Sequence, residues 1–523
     1  MCDVQYIGGL GQAADVDNFH KVFQAAKVQG AALQSHDPDA SARHRPALKK
    51  PDISNCYVSN CRACLQRMDA PAGIARPLLV QHWFICGHKR CLSTQNKLVL
   101  WPAVCRLVTY SPSSPSTRNA NVTASRIAAR VLRIKPSPSS AAADRANELR
   151  RAGKSIINLV VGEPDFDTPA HIRQAASAAI ENGETRYTLN AGTAALRDAI
   201  AAKLQRENGL SYAPGQIVVT SGAKAAIFNA FAATLGIDDE VLIPAPYWVS
   251  YPDMVLACDG RPVTLPCPED NQFKLTAEQL RHAITPRTRW LLLNSPSNPT
   301  GATYSATEWR ALADVLLDYP DVLVMTDDIY EHIRYDDTPL SHLLTVEPAL
   351  RERVLIINGV SKTYAMTGWR IGYAAGPSDI INAMATLQSQ STSNACSVSQ
   401  AAAVAALNGD QSFVGESVKV YKQRRDRCLE LINAIDGLSC IQPQGAFYLY
   451  VNCAALIGKT TPSGSVLEAD TDVVLYLLES QSVAVVAGTA YGLAPFFRMS
   501  TATALETLET GCTRIATAVA ALR

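Results

Sequence analysis

The stretch Asn358-Gly-Val-Ser-Lys-Thr-Tyr-Ala-Met-Thr-Gly-Trp-Arg-Ile-Gly-Tyr373 combines a lone reactive amine with an anion-binding group at short, fixed spacing. Lys362 is the amine, and Arg370 is the anion binder. Two apolar runs, Val354–Asn358 and Ile371–Ala375, flank them, and each run predicts a buried strand. We therefore expect Lys362 on a loop that two core strands hold in place.

Strand and helix patterns alternate on the N-terminal side of this stretch. Strands are predicted at residues 216–220, 240–244, 290–294 and 322–326, with helices that begin at Ala223 and Ser250 and a further helix over 305–319. This alternation is typical of an α/β fold with a doubly wound, mostly parallel sheet that helices cover on both faces. Ligands of such sheets bind beyond the carboxyl ends of the strands.

The pattern changes at about residue 411. A long helix over 416–435 is followed by strands predicted at 446–451, 483–486 and 496–500 and by a final helix. A helix over 141–150 and a strand over 156–161 precede the alternating region. We therefore predict a large domain, 169–410, beside a smaller α+β domain that combines residues 411–523 with an N-terminal segment, 125–168.

The segment Thr220-Ser-Gly-Ala-Lys-Ala225 ends a predicted strand and opens a helix. The backbone N–H groups of Gly222, Ala223 and Lys224 then point outward at the positive end of the helix dipole, which suits a phosphate. Arg370 supplies a second anion-binding group from a distant part of the chain. Together they predict one phosphate site.

Two strand ends carry charged side chains with a predictable direction. In Met325-Thr-Asp-Asp-Ile-Tyr-Glu-His332 an acid that leaves a buried strand is expected to face a cation. Alternation sends Asp327 and Asp328 to opposite sides, and only Asp327 is assigned this role. In Phe496-Phe-Arg-Met-Ser500, Arg498 lies opposite its apolar neighbours, and a guanidinium on a rigid strand is a preferred bidentate partner of a carboxylate.

The pattern Ser-Lys-x-x-x-Met-x-Gly-x-Arg-x-Gly, from Ser361 to Gly372, resembles the cofactor-binding segment of the fold-type I pyridoxal 5'-phosphate (PLP) aminotransferases. The resemblance implies a PLP-transferase fold for the large domain. It also implies that Lys362 holds the cofactor covalently and that Arg370 binds its phosphate. The implied substrates are amino acids and 2-oxo acids.

Further motifs extend the resemblance to the other cofactor contacts. They imply that Trp248, in Pro-Tyr-Trp-Val-Ser, stacks on the pyridine ring, that Asn298, in Asn-Pro-Thr-Gly, and Tyr330 bind its ring oxygen, and that Asp327 faces its protonated nitrogen. Tyr187, in Arg-Tyr-Thr, resembles a tyrosine that reaches the phosphate of the neighbouring subunit. A homodimer with shared active sites is therefore expected.

The resemblance also assigns the substrate contacts. Arg498 is expected to bind the α-carboxylate, with Trp248 and Asn298 beside it. Gly162, in Gly-Glu-Pro-Asp-Phe-Asp-Thr-Pro, resembles the residue whose missing side chain lets the backbone approach that carboxylate.

Over roughly residues 125–523 the motifs look like those of the prokaryotic-type aspartate aminotransferases, including enzymes that also use prephenate. In that subgroup a lysine in the place of Lys224 meets the distal carboxylate of the substrate. The subgroup usually has Gly-Gly-Lys-Gln where this chain has Gly-Ala-Lys-Ala, which adds a methyl group at Ala223. The extra methyl group puts the aim of Lys224 in question.

The expected reaction is ping-pong transamination between L-aspartate and 2-oxoglutarate, with Lys362 as the general base. Lys135, in Arg133-Ile-Lys-Pro-Ser137, resembles part of a segment over the entrance in the aspartate/prephenate enzymes. Conversion of prephenate to L-arogenate is therefore a second hypothesis. An aminotransferase of aromatic or alanine specificity, a PLP lyase on the same fold and an aminotransferase-like transcription regulator remain as alternatives.

Residues 1–124 show no sustained periodicity and carry a charge balance of +7, against −6 for the rest of the chain. Unstructured basic sequence is predicted, and no helix-turn-helix pattern supports nucleic-acid binding. A further hypothesis is that the natural protein begins near Val122. One group of residues has a spacing close to that of zinc ligands, namely Cys61, Cys64, Cys86, His88 and Cys91. The loops between them lack the turn glycines and the aromatic core of a zinc ribbon. No metal site is predicted.

The chain has 523 residues, of which 47% are hydrophobic, and this is ample for two or three globular units. No apolar run reaches the length of a membrane helix, and the first 20 residues contain no Lys or Arg of the kind that begins a secretory or transit peptide. The 14 cysteines lack the spacing of a disulfide framework. We therefore expect a cytoplasmic enzyme without membrane or nucleic-acid partners.

Overall fold

The computed structural model describes residues 126–136, 138–336 and 341–523. The strands of this part of the chain are β1 (Ile157–Asn158), β2 (Ile217–Thr220), β3 (Glu240–Ala245), β4 (Arg261–Pro266), β5 (Thr288–Asn294), β6 (Leu323–Asp327), β7 (Val354–Gly359), β8 (Gly372–Ala375), β9 (Tyr448–Asn452), β10 (Val483–Ala484), β11 (Val486–Ala487) and β12 (Phe496–Ser500). Its α-helices are α1 (Ala129–Arg133), α2 (Pro138–Arg151), α3 (Ala170–Glu181), α4 (Ala194–Asn208), α5 (Ala223–Thr234), α6 (Tyr251–Ala257), α7 (Ala277–Ala283), α8 (Ala306–Leu317), α9 (Leu343–Val346), α10 (Ser378–Ser389), α11 (Ser397–Asn408), α12 (Ser412–Asn433), α13 (Asp470–Gln481) and α14 (Leu505–Ala520).

Seven strands form the large sheet, in the order β2-β8-β7-β6-β5-β3-β4. The neighbours from β4 to β7 pair in parallel. Strand β8 runs antiparallel to both β7 and β2 and is the reversed strand of this sheet. The prediction of a mostly parallel sheet is confirmed, because parallel neighbours need the long crossovers that the helical segments provide.

Helices cover both faces of the large sheet. Along β5, Leu291 and Leu293 pack into one core with α3, α4, α8 and α11. Their neighbours Trp290 and Leu292 pack into a second core with α5, α6 and α10. Side chains of one strand thus enter the two cores alternately, as a doubly wound sheet requires.

A second, antiparallel sheet has the order β11-β12-β9. It shares a core with α12, α13 and α14. Strand β1 pairs in parallel with β10, and Ile157 and Leu159 enter the same core. All described residues fall in one compact unit, so the limits of the two domains stay predictions.

The strand predicted over residues 156–161 is wrong in its length, because β1 ends at Asn158. The carbonyl oxygen of Val160 accepts a hydrogen bond from Arg498 Nη2, and that of Gly162 accepts one from Lys362 Nζ at 2.7 Å. The backbone after β1 therefore binds side chains from distant elements instead of continuing a sheet.

No helix within the described ranges is long and apolar enough to cross a membrane. The same residues contain no group of three His, Cys, Asp or Glu side chains that could hold a metal ion. The zinc-like spacing from Cys61 to Cys91, the predictions for residues 1–124 and the start hypothesised near Val122 lie outside the described residues.

Candidate active site

A cavity of about 390 Å³ lies at the carboxyl ends of the strands of the large sheet. Its lining comes from segments that follow β1, β3, β5, β6 and β7, and from α5, β9 and β12. The residues that were predicted from sequence and line it are Gly162, Ala223, Lys224, Trp248, Asn298, Asp327, Tyr330, Lys362, Arg370 and Arg498. Folding thus brings together side chains that are far apart in the sequence.

Lys362 lies on the loop after β7, where its Nζ donates to the carbonyl oxygen of Gly162 at 2.7 Å. Burial is the main cause that lowers the pKa of Lys362 to about 8. Glu163 opposes this shift of the pKa, whereas Arg370 and Arg498 add to it. Near pH 8 much of the amine is therefore unprotonated, which is the form that acts as a nucleophile or a general base.

An anion cradle is formed by Arg370 and by Gly222 and Ala223 at the start of α5. Gly222 has a φ of 90°, and a Cβ at this position would lie 2.3 Å from Arg370 Nη2. The guanidinium therefore packs directly against bare backbone. A Cβ on Gly372 would lie 2.1 Å from the backbone nitrogen of Ala223, so a second glycine leaves room for the helix start. The helix N–H groups and the guanidinium lie side by side, which suits a phosphate.

Asp327 ends β6 and is buried. The Tyr251 hydroxyl donates to its Oδ2 at 2.6 Å, and Asn294 Nδ2 donates to its backbone oxygen at 2.7 Å. Burial is the main cause that raises the pKa of Asp327 to about 6; the hydrogen bond from Tyr251 opposes the shift, and the charge of Asp328 adds to it. A cation beside this carboxylate would favour its charged form.

Arg498 lies in the middle of β12, and only 3% of it is exposed. Its neighbours Phe497 and Met499 enter the C-terminal core, as strand alternation predicts. Its Nη1 donates to Asn298 Oδ1 at 3.1 Å, and the guanidinium lies 4.4 Å from the centre of the Tyr448 ring. Its Nε is buried and has no hydrogen-bond partner among the described residues.

The hydroxyl oxygens of Tyr330 and Tyr448 lie 2.8 Å apart in the cavity wall. Burial is the main cause that raises the pKa of Tyr330 well above its ordinary value, so the hydroxyl keeps its proton near neutral pH. A Cβ on Gly162 would lie 2.2 Å from the Tyr448 hydroxyl oxygen. Glycine is therefore what lets the backbone after β1 come this close to the cavity.

Lys224 lies in the first turn of α5, with its Nζ 4.6 Å from the centre of the Trp248 ring. The ammonium also donates to Ser250 Oγ at 3.1 Å. Burial is the main cause that lowers the pKa of Lys224, and Arg370 contributes. Both of these contacts are with neutral groups, so the ammonium retains its attraction for an anion.

Three predicted residues do not line the cavity, and one of them, Gly222, is buried beside Ala223, which does line it. The Tyr187 side chain is 90% exposed. Lys135 is also exposed, and its backbone N–H donates to Asp253 Oδ1 at 3.1 Å. The roles assigned to Tyr187 and Lys135 stay predictions. Asp328, which was given no role, lies outside the lining, with its Oδ2 at 3.2 Å from His342 Nε2.

The sequence analysis missed Tyr251, Asn294 and Tyr448, which all line the cavity. Tyr251 begins α6, three residues after Trp248, and the two rings lie edge to face with their centres 5.3 Å apart. Tyr448 had no local signal in the sequence, because it meets Tyr330 only through the tertiary fold.

Charge is unevenly distributed over the described residues that line the cavity. Four of them are the cations Lys224, Lys362, Arg370 and Arg498, and Asp327 is the one carboxylate. This excess of positive charge favours ligands with several negative charges. The cavity can therefore hold a phosphate and carboxylates close to a partly unprotonated amine.

Residues 154–515 match the family model described as aminotransferase class I and II. The chain is 55% identical over 374 residues to a protein of Rhizobium meliloti (strain 1021) named aspartate aminotransferase, covering 72% of this chain and 91% of the relative. It is 50% identical over 385 residues to a protein of Cereibacter sphaeroides named aspartate/prephenate aminotransferase, covering 74% and 96% of the two chains.

Solved structures of aspartate aminotransferases are also similar to this chain. The aspartate aminotransferase from Rhizobium meliloti superposes with a TM-score of 0.75 at 52% identity, covering 76% of this chain and 100% of the other. The aspartate aminotransferase from Thermus thermophilus with maleate superposes with a TM-score of 0.69 at 40% identity, covering 75% and 99%.

We predict that Asp327→Asn changes the pH dependence of stability in the cofactor-free protein. The folded state keeps the Asp327 proton up to a pH of about 6, whereas the unfolded chain releases it near pH 4. The free energy of unfolding of the wild type therefore falls as the pH rises from about 4 to 6, and asparagine removes this loss. Relative to the wild type, the variant should gain on the order of 2 kcal/mol between pH 4.5 and 7.5.

Chemical denaturation at the two pH values measures this difference. Asp198→Asn, which changes an exposed carboxylate on α4, is the control and should show no such gain. A gain that is the same for both variants would contradict the role of burial at Asp327.

Proposed function

The chain belongs to the family of class I and II aminotransferases, and on this premise we propose that it transfers the amino group of L-aspartate to 2-oxoglutarate, giving oxaloacetate and L-glutamate. The family also confirms the predicted fold class. Relatives at 50–55% identity that are named aspartate or aspartate/prephenate aminotransferase support this activity. The observation that carries the proposal is one cavity in which Lys362 lies with two further cations, Lys224 and Arg498, for the two carboxylates of aspartate.

The side chains of the cavity fit PLP as the cofactor. The cradle of Gly222, Ala223 and Arg370 would hold its phosphate, since any side chain on Gly222 would collide with the guanidinium. Asp327 would hold the protonated ring nitrogen, whose charge would favour the ionised carboxylate. Lys362 would bind the cofactor covalently. When bound, PLP supplies an electron sink for the carbanion formed at the Cα of the substrate.

Three neutral side chains would orient the ring of the cofactor. Trp248 would stack on its face, and Asn298 and Tyr330 would donate hydrogen bonds to its ring oxygen. Support for Tyr330 comes from its raised pKa, because a protonated hydroxyl is a donor at neutral pH.

Substrate binding would use the two cations at the cavity wall. Arg498 would take the α-carboxylate, because it is buried, fixed by Asn298 and left with an unpartnered Nε. Lys224 would take the distal carboxylate by leaving its neutral contacts with Trp248 and Ser250. The maleate in the Thermus thermophilus structure is itself a dicarboxylate.

Lys362 would act as the general base. Its Nζ accepts the proton from the Cα of the amino-acid substrate, and a pKa of about 8 leaves much of the amine free to do so. The same amine returns a proton to Cα when 2-oxoglutarate takes up the amino group. The carbonyl oxygen of Gly162, which accepts from Lys362 Nζ at 2.7 Å, would hold this amine in the cavity.

We also propose a homodimer. Tyr187 is 90% exposed and Leu189, two residues on, is 64% exposed, although both are apolar in most of their surface. A second copy of the chain would cover them, and Tyr187 would then reach the anion cradle of that copy.

Prephenate is the second candidate substrate, because a relative at 50% identity is named aspartate/prephenate aminotransferase. Asp253 holds the backbone of Lys135 at α6, one turn after Ser250, to which Lys224 donates. Only the backbone of Lys135 is held there, and its exposed side chain would have to reach the distal-carboxylate end of the cavity. Prephenate is bulkier than oxaloacetate, and a second cation would meet its distal carboxylate.

We predict that Lys362→Ala lowers kcat for aspartate and 2-oxoglutarate by at least about 1,000-fold, because the base and the covalent anchor are both lost. The variant should still bind PLP weakly, without the visible absorbance of the lysine-bound form. Lys362→Arg keeps the charge without an unprotonated amine and should be equally inactive. Undiminished multiple turnover in either variant would remove the basis of the proposal.

We predict that Lys224→Ala acts selectively on dicarboxylic substrates. Lys224 is exposed in the structure, and an exposed ion pair is worth on the order of 1 kcal/mol, so kcat/KM for aspartate should fall by roughly five- to tenfold. L-Alanine has no distal carboxylate and is the internal control, with nearly unchanged kcat/KM. Equal losses for both donors would mean that Lys224 serves the cofactor or the fold instead.

We predict that the wild type forms L-arogenate from prephenate and that Lys135→Ala loses this activity more than activity with oxaloacetate. The reason is the extra cation that Lys135 brings to the larger acceptor. Product formation with both acceptors at millimolar concentration measures the effect. Absence of arogenate, or equal losses with both acceptors, would leave a plain aspartate aminotransferase.

A further inference from the structure

A buried polar cluster lies behind the cavity, and none of its members lines it. Glu331, directly after Tyr330, is at its centre, and only 5% of the residue is exposed. The ammonium of Lys203, on α4, donates to Glu331 Oε1, and Asn208 Nδ2 donates to Oε2 at 2.8 Å. Asn358 Nδ2, near the end of β7, donates to Oε1 at 2.5 Å. Both oxygens of the Glu331 carboxylate therefore accept hydrogen bonds, from side chains on α4 and on β7.

A second set of hydrogen bonds, through His332, joins the segment after β6 to the Lys362 loop and to α4. His332 Nδ1 lies 3.1 Å from the hydroxyl oxygen of Thr363, the residue that follows Lys362. The other ring nitrogen, Nε2, lies 2.8 Å from Glu207 Oε2 on α4. Because Glu207 offers only acceptors when ionised, Nε2 carries the proton. The segment after β6 is thus tied to the Lys362 loop at two points.

The Glu331 carboxylate is ionised at neutral pH. Burial by itself would raise the pKa of Glu331, but Lys203, His332 and the hydrogen bonds outweigh it and lower this pKa to about 2. Lys203 is 1% exposed. A buried ion pair contributes little to stability compared with apolar residues of the same size, so its presence calls for another role.

The Lys362 loop also needs an external constraint. Ala365 and Arg370 both adopt the left-handed backbone conformation, with φ values of 50° and 55°. Residues other than glycine hold such a conformation only where the surroundings impose it. Asn358 contributes directly, because its Oδ1 accepts from the backbone nitrogen of Gly359 at 2.7 Å, where the strand gives way to the loop.

We propose that Glu331 and its partners Lys203 and Asn358 are positioning residues that hold the Tyr330 hydroxyl and the Lys362 amine in a fixed mutual position. Glu331 directly follows Tyr330 in the chain. It also accepts a hydrogen bond from Asn358, which lies at the start of the loop that carries Lys362. The cluster acts through hydrogen bonds of the carboxylate, with Lys203 as the counter-charge that keeps it buried. This inference rests on the proposed aminotransferase function.

Two double variants separate positioning from simple stability. Lys203→Met with Glu331→Leu replaces the ion pair by apolar side chains of similar size and removes the hydrogen bonds to Asn358 and Asn208. Lys203→Met with Glu331→Gln removes the charges as well, but its amide can still accept from Asn358 and donate to Asn208. The two variants differ in hydrogen bonding and share the loss of charge.

In the PLP-loaded protein we expect the Met/Leu variant to lose about 100-fold in kcat with aspartate, as misplacement of a reacting group by about 1 Å does. Its KM for aspartate should stay close to that of the wild type, since Arg498 and Lys224 are untouched. The pH midpoint at which the visible absorbance of the lysine-bound cofactor changes should shift. The Met/Gln variant should retain most of kcat and the wild-type midpoint, and thermal unfolding should be similar in both.

The matched control is Glu240→Leu with Arg261→Met, another buried carboxylate paired with an arginine at 3.2 Å. Glu240 begins β3, at the end of the sheet opposite to the cavity. This control should change thermal unfolding alone, with wild-type kcat and absorbance midpoint.

Equal kcat and equal midpoints in the Met/Leu and Met/Gln variants would overturn the proposal. Should the Met/Leu variant fail to fold, Asn358→Leu decides, because it cuts the link to the loop while the Lys203–Glu331 pair remains. A wild-type kcat and midpoint in Asn358→Leu would likewise overturn it. A wild type that absorbs in the visible with PLP but does not transaminate aspartate would instead refute the proposed function.

Discussion

Burial of the large sheet on both faces is the constraint from which the rest of the molecule follows. The middle of β5 sends alternate side chains into two apolar cores. The polar residues that line the cavity come from the strand ends, and parallel strands bring their carboxyl ends to one edge. The meeting of Asp327, Asn298 and Lys362 at this edge is a result of sheet geometry.

The second governing feature is repulsion among the cations of the cavity. Lys362 stays partly unprotonated because it is buried and because Arg370 and Arg498 disfavour a further charge. An anionic ligand relieves this repulsion and is attracted by the same field. Affinity for anions and reactivity of the amine therefore have one electrostatic origin, and a change in either arginine affects both.

Much of the site could be predicted from sequence, because the informative signals are local. Three local patterns predict where a side chain or a backbone N–H group points, without knowledge of the fold. They are the spacing of Lys362 and Arg370, the alternation around Arg498 and the glycine before α5. Residues whose roles depend on distant partners could not be found in this way. Glu331 reads as a solvated acid in the sequence, yet it is buried against Lys203, which lies 128 positions away. The early end of β1 was missed for the same reason, since Arg498 and Lys362 bind the carbonyl oxygens of Val160 and Gly162, which follow it.

Those carbonyl oxygens have a consequence for how specificity can change. Arg498 and Lys362 donate to the main-chain oxygens of Val160 and Gly162, and Arg498 donates to Asn298 Oδ1 as well. A ligand that took the Arg498 Nη2 or the Lys362 amine would have to replace a main-chain acceptor, so its affinity would be the difference between two sets of contacts. No side-chain replacement at either position deletes the competing acceptor. The position of these main-chain acceptors changes only if the backbone of residues 160–162 changes its conformation. The affinity for every ligand that binds Arg498 or Lys362 therefore depends on the conformation of this segment.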